Sequence, residues 1–347
     1  MREMLSDLEN LSNAIGVSGF EARVRELISE RIDGLVDEIR VDGLGNLLVT
    51  KEGTGGGPRI LLDAHMDEVG FMVSHVDDGG FLRFECIGGW DPRNLLGHPV
   101  RFDLSGGFQE GIIGTKPPHL QNADERKKVI ETGKMFVDVG AVEPGQVEDM
   151  GIEVGTPFTI FHPFRHIGGG NVMGKAFDDR VGCAIMIEVL RRLSNVDHGP
   201  SIAMNFAVCE EVGLRGSGPG AFTLKPDLAL ALENTAAGDI PGVQPERCPT
   251  ELGGGPAITI ADKSLMASPM IVSRLRQLAG DGDLPYQIKK PLYGGTDAGR
   301  ISTTGSGIPS GVLSVPCRYI HNGLSLLRVS DMEACADLAL AFCVNSD

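Results

Sequence analysis

The hydrophobic pattern of this chain changes twice, and this change restricts the possible folds more than any other feature. Before about Val69 and again from Asn171 onward, buried apolar strands alternate with helical patterns. Between about Val69 and Phe161, short runs alternate apolar with polar residues and are separated by turn signals, which is typical of a small all-β unit. The sequence therefore predicts an α/β domain made from both ends of the chain, with a β domain inserted between them.

Individual segments support this division. The predicted helices are MREMLSDLENLSNAIG, EARVRELISERI, VGCAIMIEVLRRLSN, SPMIVSRLRQLAGDG and SDMEACADLALAFCVNS, and the buried strands include RILLDA, SIAMNFAVCEE, DLALALE and GVLSVPCRYIH. Ser18 and Glu21 form a capping-box pattern before the second helix. Within the inserted part, only NADERKKVIETG has helical periodicity. We place the α/β domain at residues 1–67 and 161–347, and the inserted domain at residues 68–160.

Charge and cysteine usage exclude several classes of protein. A formal charge of −16 repels nucleic-acid phosphate and anionic lipid, so neither partner is expected. The seven cysteines are odd in number and none form a C-x-x-C pair, which argues against a disulfide framework and a thiolate zinc site. Reduced thiols indicate a cytosolic protein. The N-terminus does not have the pattern of a signal peptide, and no stretch approaches about 18 apolar residues, so no membrane span is expected.

Acidic and histidine side chains recur at the ends of the predicted apolar strands. In open α/β sheets, the carboxyl edge of the strands is where ligands bind. The residues in this position are His65, Asp178, Glu210, Glu211, Glu233 and His321. Two histidines and several carboxylates that converge on one edge have the composition of a zinc- or cobalt-type site.

Each of these residues also has a structural interpretation. A lone His at a strand end is more often a hydrogen-bonded structural residue, and Asp178 could cap the helix that follows it. The adjacent pair Glu210 and Glu211 is harder to explain in this way, because two buried carboxylates repel each other unless cations balance them. A single catalytic zinc needs three protein ligands, and the chain offers more, so two metal ions about 3.5–4 Å apart are favoured over one.

Six motifs in a fixed order resemble a known family. They are DAHMDEVGFMV, GKAFDDRVGCA, CEEVGLRGS, LENTAAGDIPG, GGTDAGRI and CRYIHN. Together with KPPHL in the inserted part, they resemble the TET-type co-catalytic metallo-aminopeptidases, a family that includes glutamyl aminopeptidases and proteins once named cellulases. The resemblance covers essentially the whole chain. It implies a phosphorylase/hydrolase-like α/β/α catalytic domain with a mixed central sheet, and an inserted β-barrel domain that mediates dimerisation.

The resemblance also implies a metal-binding role for most of the strand-end residues. Two divalent ions, zinc or cobalt, would serve as cofactors. Asp178 would bridge both metals. His65 and Glu233 would complete one metal site, and Glu211 and His321 would complete the other.

Three further residues would support these ligands. Glu210 would be the general base that takes a proton from the metal-bridging water. Asp67 would orient the imidazole of His65 and raise its basicity. Asp179 would help shape the bridging ligand through an unusual backbone conformation, such as a cis peptide. The implied function is removal of N-terminal amino acids from short peptides.

The resemblance does not settle the roles of three residues. Glu233 stands where many relatives carry Asp, which puts the metal position and the preferred ion in doubt. Asp297 in GGTDAG is a rival ligand, but we favour a loop or substrate contact. His119 in KPPHL could approach the active site of a neighbouring subunit, but a structural role is favoured.

Other functions remain to be weighed against an aminopeptidase. The nearest is a dimetal N-acyl amino acid deacylase on the same scaffold, and a catalytically silent oligomeric binding protein is a second. A glycan hydrolase would need a carboxylate pair that works without metals.

Members of the family assemble through the inserted domain into dimers and then tetrahedral dodecamers, so the resemblance implies the same assembly for this chain. The sequence leaves open the preferred N-terminal residue and the choice among zinc, cobalt and manganese.

Overall fold

The computed structural model describes residues 2–290 and 294–345. The α-helices of these ranges are α1 (Arg2–Asn13), α2 (Ala22–Ile32), α3 (Pro144–Asp149), α4 (Phe177–Leu193), α5 (Ser217–Leu224), α6 (Pro269–Asp281), α7 (Asp297–Ser302) and α8 (Val329–Val344). The strands are β1 (Glu38–Val41), β2 (Leu47–Lys51), β3 (Arg59–His65), β4 (Gly70–Val76), β5 (Leu82–Ile87), β6 (Pro99–Leu104), β7 (Gly107–Gly114), β8 (Phe136–Asp138), β9 (Pro157–Ile160), β10 (Arg165–Gly168), β11 (Asn171–Gly174), β12 (Ser201–Ala207), β13 (Leu228–Ala236), β14 (Ala257–Thr259), β15 (Gln287–Lys289), β16 (Ser310–Arg318) and β17 (Ser325–Arg328).

A large mixed sheet contains strands from both ends of the chain. Its strand order is β1-β2-β12-β3-β13-β16-β17-β11-β10, with β14 beside β16 and β15 beside β14. The central strands β12, β3, β13 and β16 run parallel to one another, and β2 and β17 flank them in antiparallel orientation. The predicted α/β fold with a mixed central sheet is therefore confirmed.

Helices cover both faces of this sheet. Ile60 and Leu62 of β3 pack in one hydrophobic cluster with residues of α1, α2, α4, α6 and α8. Leu61, which points to the opposite face, packs in a second cluster with residues of α5 and α7. Because parallel strands are buried on both faces, their sequences are nearly continuous apolar runs, as in LALAL and RILL.

The predicted all-β unit forms a closed antiparallel barrel. The strands follow the order β4-β5-β8-β7-β6-β9 around it. Four aromatic side chains fill its interior, and the rings of Phe71 and Phe158 stack with centroids 5.1 Å apart. The helical periodicity of NADERKKVIETG yields only two 3₁₀ turns, Glu125–Lys127 and Thr132–Lys134, while the short helix α3 was not predicted.

The capping-box prediction before α2 is wrong. Glu21 occupies the N-cap position, but its side chain makes no cap hydrogen bond there and instead accepts from the backbone N–H of Gly19 at 2.7 Å. The hydroxyl of Ser18 donates to Oδ2 of Asp67, 49 residues away, at 2.6 Å. In a capping box the serine oxygen would accept from a backbone N–H, whereas here the hydroxyl donates to a buried carboxylate, and hydrogen bonds to an ionised acceptor are the stronger kind.

A buried ion cluster connects the barrel to the sheet domain. Nζ of Lys175 donates to both carboxylate oxygens of Glu68, at 2.7 and 2.9 Å. Glu68 also accepts from the backbone N–H of Gly16 and from the hydroxyl of Thr159 on β9. Burial lowers the pKa of Lys175 to about 8 although Glu68 raises it. The cluster ties the N-terminal segment, the barrel and the turn before α4 together.

None of the helices within residues 2–290 and 294–345 combines the length and the apolar character that crossing a membrane requires.

Candidate metal centre

The carboxyl ends of the parallel strands meet at one edge of the sheet. His65 is the last residue of β3. Glu233 lies within β13 and not after it as predicted, because β13 continues to Ala236. The other residues stand just past their strands, with Glu210 and Glu211 after β12 and His321 after β16. The structure therefore brings the strand-end residues of the prediction to one place.

Asp178 lies between two histidines. Its Oδ1 is 3.3 Å from Nε2 of His65, and its Oδ2 is 3.3 Å from Nε2 of His321. Asp178 is held there by the first turn of α4, a helix that packs against β3, β13 and β16. Each oxygen of one carboxylate thus faces a different imidazole, which is the arrangement that a ligand shared by two metal ions needs.

Two glutamates complete groups of possible ligands on either side of Asp178. Oε2 of Glu211 is 3.2 Å from Nε2 of His321, and Oε2 of Glu233 is 3.9 Å from Nε2 of His65. In the group of His65, Asp178 and Glu233, and in that of Asp178, Glu211 and His321, one ligand atom from each residue lies within 4.8 Å of the others. These are the two groups that the family resemblance implies.

Glu210 stands beside both groups. Its Oε2 is 3.8 Å from Nε2 of His65, and with His65 and Glu211 it forms a third group of possible ligands. Neither of the groups centred on Asp178 needs Glu210 as a ligand. Its carboxylate is therefore available to exchange protons at the cluster.

Asp67 organises more of the site than the sequence predicted. Its carboxylate lies 3.4 Å from Nδ1 of His65, as expected for a residue that orients this ring. The same carboxylate accepts hydrogen bonds from the backbone N–H groups of Glu210 at 2.9 Å and Glu211 at 3.1 Å. The hydroxyl of Ser18 donates to it as well. No sequence signal connects Ser18 to this site, because Ser18 and Asp67 are brought together only by the packing of the N-terminal segment.

Unusual backbone conformations surround the site. Ala176, Cys209 and His321 are non-glycine residues with positive φ values of 52°, 56° and 53°. Such conformations cost free energy and persist where surrounding contacts impose them, often at functional sites. The peptide bond between Asp178 and Asp179 is cis, as the resemblance implied.

Burial and crowding perturb the charges of this cluster. Desolvation raises the pKa of Glu233 well above its usual value, and Asp179 and Asp297 raise it further although His65 lowers it. Desolvation likewise raises the pKa of Glu210 well above its usual value. Burial lowers the pKa of His321, but its contacts with Asp178 and Glu211 dominate and bring it to about 11. Nearby carboxylates thus outnumber the cationic groups that balance them.

The donor set fits divalent cations. Oε1 of Glu211 is buried and has no hydrogen-bond partner within residues 2–290 and 294–345, although its other oxygen faces His321. A buried carboxylate oxygen without a partner carries a large desolvation cost, which a bound cation removes. Imidazole nitrogen and carboxylate oxygen are ligands that zinc and related transition metals accept.

A cavity of about 420 Å³ opens beside the cluster. Its wall includes the proposed ligands, the apolar side chains of Leu214 and Ile320, and the ammonium-bearing side chain of Lys289. Sequence analysis missed Lys289. Within the motif QIKK, nothing distinguishes it from a surface lysine, and only its position at the end of β15 directs it inward.

Asp297 is not a loop residue, so the loop part of the favoured interpretation is wrong, whereas a contact with substrate stays a prediction. It begins α7, is fully buried, and donates its backbone N–H to Oε1 of Glu233 at 3.2 Å. Burial raises the pKa of its carboxyl to about 6.

His119 lies exposed on the 3₁₀ turn Pro118–Leu120, and its structural role stays a prediction.

Comparison with known proteins agrees with this geometry. A family model described as M42 glutamyl aminopeptidase matches residues 45–338. Lysyl aminopeptidase of Pyrococcus furiosus is 32% identical over 341 residues, which cover 96% of this chain and 95% of that protein. The crystal structure of a TET aminopeptidase from the marine sediment archaeon Thaumarchaeota archaeon SCGC AB-539-E09 has a TM-score of 0.97 and 38% identity, covering 100% of this chain and 97% of that one.

A third relative forms large oligomers. The TET1 peptidase of Pyrococcus horikoshii, which can assemble into a tetrahedron or a large octahedral shell, has a TM-score of 0.87 and 31% identity, covering 99% of each chain. These matches confirm the resemblance and favour neither a deacylase nor a silent binding protein. Because the family model spans most of the sequence and similarity extends over nearly its full length, the chain belongs to the M42 glutamyl aminopeptidase family of peptidases.

Proposed function

We propose that this protein removes N-terminal amino acids from short peptides and that two divalent cations bound around Asp178 are its cofactors. His65 and Glu233 would hold one cation, Glu211 and His321 would hold the other, and Asp178 would be shared between them. The observation that carries the proposal is the position of Asp178, whose two carboxylate oxygens each lie 3.3 Å from a different histidine.

Glu210 is the acid–base residue of the proposed reaction. Divalent cations held by these residues would supply Lewis acidity, which would polarise the scissile carbonyl, lower the pKa of a water molecule to about 7 and provide a site for the free α-amine of the substrate. The carboxylate of Glu210 removes the proton from the attacking water and transfers it to the departing amine nitrogen. Asp67 supports this role because it holds the backbone N–H of Glu210 at 2.9 Å and so positions the residue.

Zinc or cobalt is the proposed metal. The cluster offers two imidazole nitrogens, whereas magnesium and calcium prefer sites made of oxygen ligands alone. Glu233 in place of the shorter Asp does not prevent a ligand group, since its Oε2 lies 3.9 Å from Nε2 of His65. Reconstitution of the metal-free protein with each ion distinguishes zinc from cobalt.

Chelation is expected to abolish turnover of peptides with a free N-terminus, and added zinc or cobalt is expected to restore it. The same peptides carrying an N-acetyl group are expected to resist hydrolysis, because the α-amine that anchors the substrate is blocked. The measurement is amino acid release after EDTA treatment, dialysis and titration with zinc, cobalt or manganese. Turnover that survives EDTA, or that is equal for blocked and free peptides, would contradict the proposal.

We also assign dimerisation, as a step towards a tetrahedral dodecamer, to an inserted domain at residues 68–160. The support is the barrel surface: Phe108 and Ile112, four residues apart and on the same face of β7, are 63% and 48% exposed. Exposed apolar side chains in a row are typical of an interaction surface. The relative from Pyrococcus horikoshii can assemble into a tetrahedron or a large octahedral shell.

Light scattering after size exclusion is expected to give a mass of about 440 kDa, twelve times the chain mass of 36.9 kDa. The double substitution Phe108→Asp and Ile112→Asp is expected to reduce this mass, because two buried charges would oppose the contact. The same substitutions at Val41 and Leu44, exposed apolar residues outside the barrel, serve as a control. A monomeric wild-type protein would refute the assembly.

A cytoplasmic location is proposed on separate grounds. The seven cysteines are all free thiols, and burial raises the pKa of several of them, including Cys335 and Cys343. Free thiols persist in reducing compartments.

A further inference from the structure

A second cleft, of about 560 Å³, adjoins the cavity beside the metal cluster. Leu214 lines both the cleft and the cavity. On another wall, Oγ of Ser264 in the cleft accepts a hydrogen bond at 3.0 Å from the backbone N–H of Thr296, which lines the cavity. A peptide whose first residue lies at the metal cluster can therefore extend from the cavity into this cleft.

Two arginines, Arg215 and Arg300, are the charged side chains among the described residues that line the cleft. Nε of Arg215 donates to the backbone oxygen of Val212 at 3.0 Å. In the described part of the chain, neither guanidinium forms an ion pair, and that of Arg300 makes no hydrogen bond either. The chain has 47 acidic residues, yet none is paired with these two groups. The cleft therefore offers a site for an anion that comes from outside the protein.

The backbone fixes Arg215 close to the proposed acid–base residue. The N–H groups of Gly213 and Leu214 both donate to the backbone oxygen of Glu210, at 2.9 and 2.8 Å. The N–H of Arg215 donates to the backbone oxygen of Cys209 at 3.2 Å. Leu214 has a positive φ of 55°, a conformation that persists where such contacts impose it. One turn after β12 thus carries both Glu210 at the metal cluster and Arg215 in the cleft.

Two glycines leave room for the side chains of the cleft. A Cβ at Gly218 of α5 would stand 3.1 Å from both Cγ and Nε of Arg300, so a larger residue there would displace the arginine. A Cβ at Gly299 of α7 would stand 2.4 Å from Oγ of Ser264. The position of Arg300 therefore depends on close packing between α5 and α7, which limits the freedom of its long side chain.

We propose that Arg215 and Arg300 bind the C-terminal carboxylate of tripeptides and tetrapeptides whose N-terminal residue lies at the metal cluster. This inference rests on the proposed aminopeptidase function and adds a preference for substrate length at the same site. The planar guanidinium group matches the two oxygens of a carboxylate. In an extended peptide, a carboxylate two or three residues beyond the first lies about 7–11 Å from it, so the adjoining cleft is within reach.

The end of the peptide suits this site better than an acidic side chain does. An enzyme that shortens peptides of varied sequence meets an α-amine at one end and a carboxylate at the other in every substrate. The metal cluster is the proposed site of the amine, and the two arginines supply the complementary site for the carboxylate. In a longer peptide the chain end passes beyond the arginines, and the interaction is lost.

The test compares free and amidated C-termini in X-Gly-Gly and X-Gly-Gly-Gly on the metal-loaded enzyme. X is the one of glutamate, leucine and lysine that the wild-type enzyme releases fastest. Wild-type kcat/KM is expected to be at least about tenfold higher for the free carboxylate, the effect of a hydrogen bond to a charged group. The difference is expected in KM, because the carboxylate is bound equally in the ground state and the transition state. When six glycines follow X, the free and amidated peptides are expected to react equally.

The double substitution Arg215→Met and Arg300→Met is expected to bring the ratio of kcat/KM between free and amidated tripeptides close to 1. Because this ratio compares two substrates on one enzyme, a general loss of activity or of folded protein does not alter it. The double substitution Arg40→Met and Arg276→Met is the matched control. It removes the same charge from two exposed arginines outside the cleft and should retain the wild-type ratio.

Two wild-type results separate this site from the proposed function. Equal kcat/KM for free and amidated tripeptides and tetrapeptides would overturn the arginine site but leave the aminopeptidase function intact, as would a ratio that survives the double substitution in the cleft. A gain of the same size from aspartate at the third position of an amidated heptapeptide would also overturn it, in favour of an acidic side chain. Hydrolysis of none of these peptides would overturn both proposals.

Discussion

Replacement of Glu210 with Gln is expected to lower kcat by about 10²–10⁴-fold while both metal ions stay bound. The amide cannot take a proton from water or deliver one to the departing amine. The metal ligands are expected to survive, since neither group centred on Asp178 includes Glu210. The hydrogen bond from the backbone N–H of residue 210 to Asp67 is independent of the side chain, so the loop should keep its position.

The measurement pairs kcat on a free-amine peptide with metal content by elemental analysis. Glu9→Gln, an identical change on the exposed surface of α1, is the control and should retain wild-type values for both. Wild-type kcat in Glu210→Gln would remove Glu210 from the acid–base role. Loss of one metal ion together with activity would instead make Glu210 a ligand, in keeping with its place in the group with His65 and Glu211.

Replacement of Asp178 with Asn is expected to remove both metal ions and to lower kcat/KM by at least about three orders of magnitude. The reason is that each oxygen of Asp178 faces a different histidine, so one substitution affects both groups of ligands. The amide nitrogen of Asn carries hydrogens and cannot coordinate, and Asn has no negative charge. Lewis acid stabilisation worth several kcal/mol would therefore be lost from both positions.

Metal stoichiometry separates this effect from that of Glu210→Gln. Asp178→Asn is expected to bind fewer than two ions per chain at metal concentrations that saturate the wild-type protein. Asp78→Asn, in an exposed turn of the barrel, is the matched control. Retention of two ions with wild-type affinity would exclude Asp178 as the bridge, even if activity fell.

The candidate site residues at the strand ends could be predicted because two pieces of information suffice. One is the local sequence, and the other is the rule that ligands bind at the carboxyl edge of an open α/β sheet. The apolar runs before His65 and Glu210 identify buried strands, and parallel strands share a carboxyl edge, so residues at their ends converge. Asp178 was predictable from the adjacent acidic motif and from the family resemblance. The exact extent of β13 was not, because the strand continues past Glu233 by pairing with β16 from Ala229 to Ala236.

Other parts of the site could not be predicted because long-range packing places them. Ser18 has the local pattern of a helix cap, but packing of the N-terminal segment brings it within 2.6 Å of Asp67. Asp297 belongs to a glycine-rich motif typical of loops, but its helix packs behind β13 and buries it. Such contacts join residues far apart in the chain, and no local preference encodes them.

The sequence alone established the α/β fold, the inserted β-rich segment and the identity of the strand-end residues, because hydrophobic periodicity and residue chemistry are local properties. The packed structure established which oxygen of Asp178 faces which histidine, that Asp67 positions both glutamates, and that Lys289 points into the cavity. These features depend on distances of a few ångströms between separate elements, and such distances exist only once helices and strands have packed around a common core.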